Sequence, residues 1–115
     1  MKDELWKLGA CETATSIREG TLTCLEVVQA SADRLLRVNP EINAVTVNLT
    51  DEALILAKQA DTALLNGIEP GPLYGVPITI KENIDLAGKA TTLGVSSFID
   101  NIAPCLLYTS DAADE

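Results

Sequence analysis

Apolar residues recur along the first half of the chain at steps of three and four, a spacing that predicts helices. Leu25, Val28, Ala32, Leu35 and Leu36 form one face of a segment that opens with Thr23-Cys24-Leu25-Glu26. That opening is a capping box, in which threonine and glutamate satisfy each other's orphan amide hydrogens. Asn39-Pro40 is expected to stop this helix, because the residue before a proline is steered away from helical angles. A weaker helix is expected over Ala10 to Glu19, ended by Gly20 in the left-handed conformation of a C-terminal cap. A third is expected to open with Thr50 as N-cap, followed by Asp51 and Glu52, whose carboxylates suit the positive end of a helix dipole. Ala53, Leu56, Ala57, Ala60, Ala63 and Leu64 give its apolar stripe, and Gly67 ends it.

Two β-branched runs break the helical period. Ala44-Val45-Thr46-Val47 reads as a strand, and so does Val76 to Ile80, in which Ile78-Thr79-Ile80 alternates behind Gly71, Pro72, Gly75 and Pro77. The expected fold class is therefore α/β, with N-terminal helices packed on part of a mixed sheet to which Val76 to Ile80 adds an inner strand. A lysine, Lys81, follows that run at once. A buried strand would carry its ammonium to the edge of a core, and desolvation can lower a lysine pKa by about 3–5 units, enough to leave a usable base. Local chemistry leaves two readings open: a tuned base, or a charge that merely closes a strand.

Composition narrows the possibilities. The 115 residues suit one small domain, 47% of them are hydrophobic, and only 3% are aromatic, so aliphatic packing must carry the core. Seventeen acidic against eight basic side chains give a net charge of −9, which argues against nucleic acid or an anionic membrane as partner. Cys11, Cys24 and Cys105 show no metal-ligand spacing and there is no histidine. No cofactor or metal is expected, and reduced thiols fit a cytoplasmic protein. Neither a secretory signal nor an apolar run of the roughly 18 residues needed to span a membrane is visible.

The stretch Gly75-Val76-Pro77-Ile78-Thr79-Ile80-Lys81-Glu82-Asn83-Ile84-Asp85, followed by Gly88 and Thr91-Thr92, resembles the first conserved block of the amidase signature family. The likeness runs from about Leu5 to Phe98. Position 82 holds glutamate where that family more often has aspartate, which keeps the charge. The resemblance implies a serine hydrolase that cleaves carbon–nitrogen bonds with a Ser, cis-Ser, Lys triad. It assigns Lys81 as the catalytic lysine, taking a proton relayed from the nucleophilic serine and returning it toward the leaving amine. A small-molecule amide would be the substrate.

The resemblance also implies what these residues lack. The family places both serines well downstream of the lysine, in a Gly/Ser-rich segment. Ser96 and Ser97 lie too near Lys81 and are expected to decorate a turn. Residues 1–104 are read as the N-terminal part of an amidase domain, inactive alone. Residues 105–115, Cys105 to Glu115, are read as a non-native tail, the translation of a sequencing-library adapter. Two other readings stand beside the amidase: the A subunit of the glutamyl-tRNA amidotransferase, and an acidic binding module without chemistry. The amidotransferase chain usually continues after Thr-Thr with a Cys-Ala-Ser type sequence, where this chain has Leu93-Gly94-Val95-Ser96.

Overall fold

A computed structural model describes residues 2–102. These fall into two compact units, residues 2–77 and residues 78–102. The first holds three helices: α1 (Ala10–Arg18), α2 (Cys24–Ile42) and α3 (Thr50–Leu65). A 3-10 stretch over Lys2–Lys7, interrupted at Glu4, precedes them.

The capping box forms as the sequence predicts. Glu26 N–H donates to Thr23 Oγ1 at 3.0 Å and Thr23 N–H to Glu26 Oε2 at 3.0 Å. Behind it α2 turns Cys24, Val27, Val28 and Ala32 inward. The buried face is thus rotated from the expected one, and Leu36 is left 54% exposed. Ile17 of α1, Cys24, Val27 and Val28 of α2 and Ala57 of α3 make the core, with Leu22, Leu25, Ala53, Leu54, Ala60, Leu64 and Tyr74 around it. Each full burial of a side chain such as Val27 contributes about 1.5–3 kcal/mol. Leu56, expected inside, is 63% exposed, and Leu54 takes its place against the core.

Two helix boundaries differ from expectation. α2 runs through Pro40 to Ile42 and ends at Asn43, whose φ of 48° makes it the left-handed cap. Within the last turn a proline forfeits one backbone bond, here to a carbonyl on a solvent-exposed face, and its fixed φ is already helical. At the start of α3, Thr50 is the first helical residue and not the cap. The N-cap position is Leu49, and from the residue before it the Asn48 Oδ1 accepts from Thr50 N–H at 2.9 Å.

The α/β expectation is overturned. The described residues form helices and turns and no strand, the nearest approach to a sheet being one isolated antiparallel bridge between Ala90 and Ile102. At Ala44 to Val47 the reason is visible. The Asn39 carboxamide accepts from Val45 N–H at 2.9 Å and donates to the Val45 carbonyl at 3.0 Å, so a side chain holds the backbone groups a neighbouring strand would have taken. In Val76 to Ile80, Val76 N–H closes a turn on the Leu73 carbonyl, Pro77 has no N–H, and Ile78 is 57% exposed. β-branched sequence favours a pleated, half-buried surface, and no partner strand among the described residues supplies one.

Gly75 is required twice over. Its φ is +81°, and a Cβ there would meet Cys24 Sγ at 2.6 Å and Ile17 Cδ1 at 2.7 Å. The loop can close on the helices only where no side chain stands between. On the other side of α2, the Arg34 guanidinium lies 4.1 Å from the Trp6 ring centroid, a cation–π contact. Among the described residues no helix is long and apolar enough to cross a membrane. The Cys105 to Glu115 tail lies outside the described residues.

Candidate active site

Lys81 stands near the start of the second unit, at the first corner of a turn closed by Ile84 N–H on the Lys81 carbonyl at 3.0 Å. Its side chain is exposed. The burial expected from a strand is absent because the strand itself is absent, so residues 78–102 hold the lysine's backbone without covering its ammonium.

What does hold the lysine's neighbourhood is a set of carboxylates. Glu82 Oε1 accepts from Thr92 N–H at 2.5 Å and from Thr92 Oγ1 at 2.7 Å, while Oε2 accepts from Leu93 N–H at 2.9 Å. The backbone aims those amides inward by turning left-handed at Leu93 and Gly94, with φ of 53° and 75°. Gly94 N–H in turn donates to Thr92 Oγ1 at 3.2 Å. Three residues on, Asp85 Oδ1 accepts from Thr91 Oγ1 at 2.6 Å. Thr91 N–H donates to the Asn101 carbonyl at 2.9 Å, and Asn101 Nδ2 returns a bond to the Thr91 carbonyl at 3.1 Å.

These bonds explain the motif physically. Two acids at 82 and 85 face two threonines at 91 and 92 across the turn at Gly88. Charge-assisted bonds of this kind are roughly twice as strong as neutral ones. They also act on Glu82: first the Thr92 hydroxyl, then the Thr92 amide and more weakly the Leu93 amide, hold its carboxyl below the ordinary value, against a small opposing effect of desolvation. The sequence displays all four residues, but nothing in their spacing says which acid meets which hydroxyl. The signal available was two acids three apart matched by adjacent hydroxyls beyond a glycine turn.

Ser96 and Ser97 begin a short 3-10 turn, Ser96–Phe98, and are exposed. Neither is bonded to the lysine.

In the first unit the sequence concealed a different polar cluster. Asp61, from the middle of α3, accepts from Cys24 N–H at 2.7 Å and Leu25 N–H at 3.0 Å, so one helix supplies an anion to the N-terminus of another. Burial pushes the Cys24 thiol up to about 12, helped by its hydrogen bond to Asp61 and by that residue's charge. Tyr74 donates its hydroxyl to the Ala60 carbonyl at 2.8 Å, and its pKa is raised by desolvation and then by Cys24 and Asp61. A fully buried thiol held protonated is no nucleophile. This cluster is a staple between α2 and α3 and carries no chemistry.

Comparison with known proteins gives the motif its context. Residues 26–108 match the model of the Amidase family. An indoleacetamide hydrolase of Bradyrhizobium diazoefficiens is 47% identical over 103 residues, 90% of this chain and 20% of that protein. The A subunit of the glutamyl-tRNA(Gln) amidotransferase of Carboxydothermus hydrogenoformans is 36% identical over 101 residues, 88% of this chain and 21% of that one. An acylamidase of Rhodococcus erythropolis is 37% identical over 100 residues, 84% of this chain and 20% of its own. The chain spans about a fifth of the length of these relatives. With the Lys81 to Thr92 motif inside the matched region and bonded as one unit, the chain belongs to the amidase family.

Proposed function

We propose that this chain is the lysine-bearing part of an enzyme that hydrolyses carbon–nitrogen bonds in small amides, with Lys81 as the terminal base. The observation that carries the reading is the family match across residues 26–108, which contains the Lys81 block whole. In this scheme a serine hydroxyl attacks the amide carbonyl and passes its proton through a second serine to the Lys81 amine. That proton then goes to the departing amine or ammonia, and water releases the carboxylate from the acyl-enzyme. The two serines and the apolar cover that the lysine needs would come from sequence beyond these 115 residues, so the chain by itself would not turn over an amide.

A second reading, the A subunit of a glutamyl-tRNA amidotransferase, is favoured by the likeness to several such subunits. The higher identity to an indoleacetamide hydrolase and the Leu93-Gly94-Val95-Ser96 continuation lean toward the hydrolase. Lys81→Ala, made in an amide-hydrolysing protein that carries this chain, should abolish turnover, and Lys81→Met likewise. Unchanged turnover rejects the assigned role. Glutaminase activity that depended on partner subunits and tRNA would select the amidotransferase.

A further inference from the structure

We propose that Glu82 is a positioning residue for Lys81: through Thr92 and Leu93 its carboxylate fixes the backbone turn from which the lysine side chain projects. The proposal rests on Lys81 being the base, and it adds the device that aims it. A lysine side chain has four rotatable bonds, and orienting its amine costs side-chain entropy of up to about 2 kcal/mol. In residues 78–102 the Lys81 side chain is exposed, and Thr91 is the one buried residue. The chain can therefore direct the amine chiefly by fixing the backbone that bears it.

The geometry does this from the adjacent residue. Glu82 follows Lys81 directly and uses both carboxylate oxygens on three donors, all from Thr92 and Leu93. Asp85 anchors the chain just beyond the turn on Thr91. The Ile84 N–H to Lys81 carbonyl bond closes a turn that contains Glu82 and ends one residue before Asp85. A clasp needed only to close the 82–93 loop could stand on either pair. One pair anchored inside the turn and one just after it restrict the direction in which the side chain of residue 81 leaves the backbone. Glutamate reaches farther than aspartate, which lets one carboxylate take the Thr92 hydroxyl and both amides together.

The test uses the 115-residue chain in solution, labelled with ¹⁵N. Backbone order parameters at Lys81 and Ile84 should lie near about 0.85, the value of rigid backbone, and fall toward about 0.6 in Glu82→Gln and in Thr92→Val. Glu82→Asp should recover only part of the order, since it keeps the charge but shortens the reach to the Thr92 and Leu93 donors. Acidifying the wild-type chain should reproduce the Glu82→Gln result without any substitution, as the Thr92 and Leu93 amide resonances shift with protonation of Glu82. In an amide-hydrolysing protein that carries this chain, Glu82→Gln should lower kcat by up to about 100-fold with KM little changed. An order parameter at Lys81 that is no higher in the wild-type chain than in Glu82→Gln overturns the proposal, whatever the turnover shows. Turnover that survives Lys81→Ala sinks the base assignment instead, whatever the order parameters show.

Discussion

The two units of the chain treat their carboxylates in opposite ways. In residues 2–77 an apolar core holds the helices together, and Asp61 from α3 joins the capping-box Glu26 in finishing the N-terminus of α2. Its role there is to satisfy amides that burial would otherwise leave orphaned. In residues 78–102 the buried side chain is a threonine, and the acids Glu82 and Asp85 organise the loop themselves. The difference teaches where each unit's order comes from. One is held by packing and is sensitive to volume; the other is held by charge-assisted bonds and is sensitive to protonation.

The largest effect should come from breaking the packing side of that contrast. Gly75→Ala puts a Cβ within 2.6–2.7 Å of Cys24 Sγ and Ile17 Cδ1 at a φ of +81°. Overpacking and left-handed strain together should destabilise the first unit by about 2–4 kcal/mol, read by urea unfolding followed by circular dichroism. Wild-type stability in that variant would mean that the loop does not close on the helices.

Alkali should separate the units next. The Cys24 thiol is raised from 9.0 to about 12 in the folded chain, so above pH 9 the unfolded state gives up a proton that the folded state keeps. The unfolded state then binds fewer protons, and stability falls as pH rises, from about 9 toward about 12. By pH 10 the loss should be about 1–2 kcal/mol. Cys24→Ala should flatten the slope, leaving a smaller one from Tyr74, whose pKa is raised in the same direction. Measured melts that are level between about pH 8 and 10 would contradict the buried, protonated thiol.

Acid should produce the smallest change, confined to the second unit. Glu82 is held below its ordinary 4.5 by Thr92 and Leu93, so its contribution is complete above that value and is lost as pH falls through the lower, folded value. The Thr92 and Leu93 amide resonances should move together over that range while resonances of α2 and α3 hold. Simultaneous loss of both sets would show the two units to be one cooperative body.

The sequence determined by itself what depends on neighbours a few residues away. The capping box at Thr23 and Glu26, the helical character of α2 and α3, and the glycine end of α1 are local, and they appear where the pattern put them, while the face that α2 buries and the residue at which it ends do not. The Gly75 to Thr92 motif was equally legible as a family mark. Tertiary structure decided the rest. Whether Val45 pairs with a strand or with Asn39, whether Ile78 is covered, and whether Leu54 or Leu56 faces the core all depend on what lies opposite in space. The same holds for Asp61 under Cys24 and Glu82 on Thr92, because a carboxylate's spacing along the chain does not say which donors will meet it. β-propensity records a side chain's fitness for a pleated surface, and only a partner strand turns that fitness into a sheet.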